Sequence, residues 1–348
     1  MENLRKDMGG VGASSLIKRR NPLSTESLVN VSSLLEETDL ILLIEPAIPG
    51  VDLVEWTNAN IGYINQKLLK HGALLFRGFG LKGDEGILRY LNGQPFKLIE
   101  YVERSSPRKS IAKNVFTSTL YPSDETIALH NENTASISFA LKVWFYCTCA
   151  SERGGETPVA DARKILARID PDVADKFRKL GWLLTRNYGK YLAYDWQDAF
   201  AGRTKEQVEQ YCKENQIEMQ WMADGGLRTK QRRSATLFHP VSQEEAWFNH
   251  IAFWHKANLP PAVLESMLQE VGPAGLPFDT FYGDGTPIPD DIAIHLREAY
   301  LQEKYMFPWQ NGDLMLIDNI ITSHGREKFA GPREIRVAMG EEYTRPHF

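Results

Sequence analysis

The 348-residue chain has little of what marks a secreted or membrane protein. Its three cysteines, Cys147, Cys149 and Cys212, are too few for a disulfide framework. Cys147 and Cys149 fall on the same face of a predicted strand, where buried thiols are expected rather than metal ligands. No apolar run approaches a bilayer crossing, Val143–Cys149 and Leu314–Ile317 being among the longest. Arg5, Lys6, Lys18, Arg19 and Arg20 enclose no apolar stretch of secretory-signal length. Residues 1–22 are therefore expected to form a flexible basic arm, with the cytoplasm as the default location. Neither sign of charge dominates. A net charge of −5 gives no reason to expect nucleic acid or an anionic membrane as the main partner. No internal repeat or low-complexity linker follows the arm, which favours a single domain over residues 23–348.

Against these absences stands an ordinary core-forming composition, 43% hydrophobic and 24% charged, with clear local patterns. Residues 57–71 read as an amphipathic helix closed by Gly72, followed by a short apolar strand over 73–79 and a helix over 84–92. Residues 137–149 alternate and are rich in β-branched and aromatic side chains, a strand pattern. Helices are expected over 161–169 and 171–180, the second with Asp170 as N-cap before Pro171. Thr204 and Gln207 form a capping box for a helix to about residue 216. Strands over 236–239 and 245–249 precede helices over 260–271 and 289–304, and strands over 313–317 and 335–339 close the pattern. Strands at both ends, with helical insertions around 160–235 and 257–305, suit a mainly β fold: a barrel or a double-stranded β-helix (jelly roll).

The chemistry-bearing residues are far apart. His130-Asn131-Glu132 lies just before the long apolar strand, and side chains at i and i+2 of an extended segment face one side. Alone the motif is weak: eight histidines and 45 Asp plus Glu in 348 residues make about one H-x-[D/E] expected by chance, and one occurs. Its company matters more. His324 follows the apolar strand 313–317 and precedes a Gly325-Arg326 turn, a place that could aim a ring into a barrel mouth. Two histidines and one carboxylate make the facial triad of non-haem Fe(II) oxygenases, and the open metal positions suit a co-substrate and dioxygen. Gly154-Gly155-Glu156-Thr157 reads as a glycine turn, but Thr157 offers a hydroxyl to a carboxylate without adding charge. Arg333 and Arg336 compete for the cation that a 2-oxoglutarate carboxylate needs. Arg333 shares strand parity with Ile335, Val337 and Met339, the apolar face, whereas Arg336 falls on the other face. Parity favours Arg333.

HNE, GGET, Phe238-His239-Pro240, Trp247-Phe248-Asn249, GDLMLIDN, SHGR and GPREIRVAMGE together resemble the taurine dioxygenase-like (TauD/TfdA) family over roughly residues 70–342. LHNEN, GGETPVAD, RNYG, FYGDG and FPWQNGDLMLIDN are most similar to its SyrP-type branch, associated with non-ribosomal peptide biosynthesis. The resemblance implies a clavaminate-synthase-like jelly roll and dependence on Fe(II), 2-oxoglutarate and O2. His130, Glu132 and His324 would be the iron ligands, and Thr157 with Arg333, or less favourably Arg336, would hold 2-oxoglutarate. Family members commonly have HxD where this chain has HxE; either keeps the carboxylate and so argues for hydroxylation rather than halogenation. The implied substrate is an amino acid or a derivative, free or tethered to an acidic peptidyl carrier protein.

Asn131, Asn133, Asn249, His250, Trp254 and Arg228 are the candidates for the substrate pocket, with core packing as the plainer role for His250 and Trp254. The basic run Arg228, Lys230, Arg232 and Arg233 is expected to be a solvated loop, or else a docking patch for the carrier or a salt partner for a substrate carboxylate. Desaturation and epoxidation remain open as outcomes on the same scaffold. A zinc hydrolase with the same three ligands would leave Arg333 and Thr157 unexplained, and a non-catalytic jelly-roll binding module would predict no iron binding.

Overall fold

The computed structural model describes residues 28–103, 108–189 and 195–346, so the basic arm expected at residues 1–22 lies outside the described residues. An eight-stranded sheet forms the backbone of the fold. Its order is Val29–Leu35, Thr38–Pro46, Ala73–Phe76, Leu314–Asp318, Ser138–Cys149, Glu334–Thr344, Val115–Thr117 and Ser110–Ala112. Every neighbouring pair is antiparallel except Thr38–Pro46 with Ala73–Phe76. A three-stranded antiparallel sheet, Ile127–His130, Thr322–Arg326 and Val159–Asp161, makes the second wall. This is the jelly-roll arrangement, mainly β with helices added.

Both faces of the large sheet are covered, which explains why its central strands are continuously apolar. Val143, Phe145, Cys147, Met315, Ile317, Ile335, Val337 and Met339 point into the roll. Trp144, Tyr146, Leu314, Leu316 and Ala338 point the other way, onto Trp56, Ile64, Leu68, Ile87 and Tyr90 of the N-terminal helices. At about 25 cal/mol per Å² of apolar surface, such double burial is the main stabilising contribution to the sheet. Among the described residues no helix is long and apolar enough to cross a membrane.

Three expectations need correction. The helix expected over 57–71 is two helices, Leu53–Ala59 and Ile61–His71, separated at Asn60. There the Asn60 side chain bonds back to the Trp56 carbonyl at 2.7 Å, competing with the helical ladder. The first helix begins early because Asp52 caps the Val54 and Glu55 amides. The region 160–235 is not only helical. Trp182–Tyr188, Ile217–Trp221 and Leu227–Arg233, with Phe278–Tyr282 from later in the chain, form a four-stranded antiparallel sheet. The basic run Arg228–Arg233 is therefore strand rather than loop. Its inward positions are Thr229, Gln231 and Arg233, so burial alternates without any apolar alternation to reveal it.

Gly72 ties the helical layer to the strands that carry the site. It has φ 100°, caps the Ile61–His71 helix, and its carbonyl accepts from the Asp318 amide at 2.9 Å. A Cβ there would lie 2.5 Å from Thr322 Oγ1 and 3.0 Å from Ile321 Cγ2. Gly72→Ala is expected to destabilise the protein by about 2–4 kcal/mol, combining left-handed backbone strain with overpacking. Urea unfolding measures this, and a loss within about 0.5 kcal/mol, the size of an ordinary surface change, would contradict it.

Candidate metal centre

Strand pairing brings the first two site residues together. His324 faces His130 in the antiparallel register of Thr322–Arg326 against Ile127–His130. Directly opposed residues present their side chains on one face about 5 Å apart, and the two imidazole centroids lie 4.6 Å apart. Glu132 follows just past the strand end. Ligand atoms of His130, Glu132 and His324 all lie within 4.8 Å of one another, so one ion can meet all three.

The protonation states suit a metal. His130 Nδ1 meets the Ala128 carbonyl at 2.9 Å, so that nitrogen carries the proton and Nε2 keeps its lone pair. Burial, reinforced by nearby His324, pushes the His130 pKa down to about 3. Burial acts to raise the Glu132 pKa, but the Arg108 guanidinium, helped by His324 and His130, holds it well below the usual carboxylate range. Arg108 Nη2 reaches Glu132 Oε1 at 2.7 Å, and its guanidinium lies over the Tyr101 ring. His324 Nε2 lies 3.5 Å from the same carboxylate oxygen, while its Nδ1 is buried without a hydrogen-bond partner. Two imidazoles, that of His130 kept neutral by burial, and an ionised carboxylate are the donor set that a divalent transition metal with open positions takes.

These residues lie in a partly enclosed cavity. Arg333, Thr157 and Ser118 line it too, with Ile335, Val337 and Phe145 as its apolar wall. Arg333 Nε donates to the Gly155 carbonyl at 2.7 Å, and its terminal nitrogens lie 3.4 Å from Ser118 Oγ and Thr157 Oγ1. Gly155 must lack a side chain here: at φ 75° its Cβ would sit 2.9 Å from Arg333 Cδ and 2.4 Å from Ser151 Oγ. Thr157 Oγ1 also accepts from Trp309 Nε1 at 3.1 Å. With both lone pairs so engaged, its hydroxyl proton is left to donate to an anion. Burial and the neighbouring Arg326 push the Arg333 pKa down to about 10, which still leaves it cationic at neutral pH. Arg108, Arg326 and Arg333 against the single carboxylate of Glu132 give the lining an excess of positive charge.

Arg336 is elsewhere, engaged with Asp84 and, at 2.6 Å, with Glu334. The pocket candidates are mostly occupied with structural bonds and do not line the cavity. Asn131 is buried and donates to the Asn319 carbonyl. Asn133 donates to the Val102 carbonyl. Asn249 accepts from the Ile251 amide and donates to the Ala235 carbonyl. Trp254 stacks on Phe278 at 3.8 Å, and Arg228 binds Asn187 and the Ala274 carbonyl on the four-stranded sheet. His250 stands behind the site, its ring 5.8 Å from that of His130, donating Nε2–H to the Asn131 carbonyl. Two lining arginines were not anticipated. Arg108 sits in a segment without periodicity, so nothing local marks it. Arg326 was visible beside His324, and it donates to the Tyr121, Pro122 and Glu125 carbonyls.

The model of the family "Taurine catabolism dioxygenase TauD, TfdA family" matches residues 36–339. The chain is 41% identical over 276 residues to the dapdiamide synthesis protein DdaC of Enterobacter agglomerans, covering 79% of this chain and 84% of the relative. It is 27% identical over 292 residues to a clavaminate synthase-like protein of Arabidopsis thaliana, covering 80% and 84%. The crystal structure of PvcB from Pseudomonas aeruginosa superposes with a TM-score of 0.53 at 18% identity, covering 92% of this chain and 94% of that one. That likeness is one of fold.

Burial also pushes the His250 pKa down, to about 4. Both His130 and His250 are thus neutral when folded but take up protons near pH 6.5 when unfolded. The unfolded state binds more protons between those limits, so the stability of the metal-free protein falls as pH drops from about 6.5 toward 4. These two groups contribute at most roughly 2.7 kcal/mol per pH unit. His250→Gln, which can still donate to the Asn131 carbonyl, should remove about half of that slope. Urea unfolding across this pH range is the check, and an unchanged slope in the variant would contradict it.

Proposed function

The chain belongs to the TauD/TfdA dioxygenase family, and on that premise we propose that His130, Glu132 and His324 hold its iron while Arg333 and Thr157 bind the far carboxylate of 2-oxoglutarate. It is a 2-oxoglutarate-dependent non-haem iron dioxygenase of a family whose members include a protein of dapdiamide synthesis. The substrate in this reading is an amino acid or a derivative, free or carried on an acidic peptidyl carrier, hydroxylated at an unactivated C–H bond. The observation that carries the assignment is the convergence of three ligand atoms in a cavity that also presents a buried guanidinium and a hydroxyl donor.

Each residue has a stated task. When bound, iron and 2-oxoglutarate supply the oxidising chemistry, one oxygen atom of O2 going to product and the other to succinate as carbon dioxide leaves. His130 presents Nε2 because Ala128 fixes its tautomer. Arg108 keeps Glu132 ionised in a site from which water is largely removed. Arg333, braced by Gly155 and Thr157, offers a fixed cation to a carboxylate, an arrangement suited to bidentate recognition. Ile335, Val337 and Phe145 shield the site from bulk water, which strengthens every charge interaction inside it.

Kinetics of 2-oxoglutarate use separate the two arginines. Arg333→Ala should raise the KM for 2-oxoglutarate by about tenfold or more, the loss expected for a charge-assisted hydrogen bond. Arg336→Ala should leave that KM near the wild-type value, because Arg336 is engaged with Asp84 and Glu334. The reverse pattern would transfer the carboxylate role to Arg336. Amino acids, free and as carrier thioesters, then test the substrate: a substrate recovered with one added oxygen atom supports hydroxylation. A product lacking two hydrogens would contradict hydroxylation and favour desaturation, whereas oxygen-independent hydrolysis would favour zinc chemistry.

A further inference from the structure

Asn319 does not line the cavity, yet its fully buried side chain is devoted to the segment that carries Glu132. Its Oδ1 accepts from the Glu132 amide at 2.8 Å, and its Nδ2 donates to the Glu132 carbonyl at 3.0 Å and the Ala140 carbonyl at 2.9 Å. A carboxamide bonded to both the N–H and the C=O of one residue reproduces the pair of bonds a neighbouring strand would give. Glu132 needs that substitute. The strand Ile127–His130 ends before it, and the next residue, Asn133, already has φ 55°.

The main chain of Asn319 is fixed as tightly. Its carbonyl accepts from Asn131 Nδ2 at 2.7 Å, and its amide donates to the Leu141 carbonyl at 2.8 Å. Asp318 stiffens the same turn: Oδ1 accepts from the Ile320 and Ile321 amides, and Oδ2 from His239 Nε2. His239 Nδ1 accepts from the Val241 and Ser242 amides, which places its proton on Nε2. This braced turn leads directly into Thr322–Arg326, the strand of His324. The element that delivers one proposed ligand therefore also holds the backbone of another.

We propose that Asn319 is a positioning residue for the iron centre, its carboxamide setting the Glu132 backbone so that the carboxylate reaches the point His130 and His324 share. This rests on the iron-site reading above. Alanine would lose all three side-chain bonds, and serine cannot offer an acceptor and donors at that spacing. A partner in this supporting layer commonly contributes 10–100-fold in metal affinity.

Mn(II), a redox-stable stand-in for Fe(II), can be titrated into the metal-free protein with free Mn(II) read by electron paramagnetic resonance. Asn319→Ala and Asn319→Ser are compared with wild type after a cooperative melt shows each to be folded. The expected result is one wild-type site and binding about 10–100-fold weaker in both variants. Should Asn319→Ala fail to fold, Asn319→Ser carries the comparison. Variants that melt lower yet bind Mn(II) with wild-type affinity would mean a merely structural role and overturn the proposal. A wild type that binds no Mn(II) would instead overturn the iron-site reading itself.

Discussion

The antiparallel pairing of His324 with His130 is the contact on which the site depends. Imidazoles on strands far apart in the chain become neighbours because a ladder register allows no intermediate setting: a one-residue slip would turn one ring away. That register is held from two sides. The strand Val159–Asp161 pairs with the other edge of Thr322–Arg326, and Gly72 lets the helical layer close against Thr322. Burial then does the electrostatic work. It keeps His130 neutral, and it opposes the charge on Glu132, which Arg108, helped by His324 and His130, nevertheless holds well below the usual carboxylate range.

The same alternation that builds the core sorts the two candidate arginines. Ile335 and Val337 face into the roll, and Arg333 joins them at the cavity; Arg336 falls on the opposite face, where Asp84 and Glu334 take it up. A cation on the apolar side is costly unless an anion meets it. Among its neighbours Arg333 finds a carbonyl and two hydroxyls, groups that orient it without neutralising it. The glycines of the Gly154-Gly155 turn, which a turn alone would explain, have a further consequence at Gly155: its missing Cβ is what lets the Arg333 stem pass.

Legibility followed the range of each interaction. Residues 138–149 announced themselves by β-branched and aromatic side chains on a sheet buried on both faces, whereas of the strand Glu334–Thr344 only the apolar part, 335–339, was legible. Helix caps at Asp170 and Thr204 were readable because capping is local. The strand Leu227–Arg233 was hidden, since after Leu227 its inward side chains are Thr229, Gln231 and Arg233, and the last two hydrogen-bond rather than pack. Arg108 was hidden for another reason: its ion pair joins residues 24 apart through a segment with no pattern of its own. Asn249 and Trp254 lay in an aromatic stretch that suggested a pocket, but their bonds and stacking build a short helix and its support. Residue type and spacing could nominate metal ligands, whereas the second layer of contacts around them required coordinates.

The most direct measurement is an anaerobic titration of the metal-free protein with Fe(II) and then 2-oxoglutarate, following the visible charge-transfer band of the chelate. The wild type should develop the band, and His130→Ala and Glu132→Ala, each verified as folded, should not. A folded wild type that gives no band with its iron kept ferrous would contradict the iron centre at His130, Glu132 and His324.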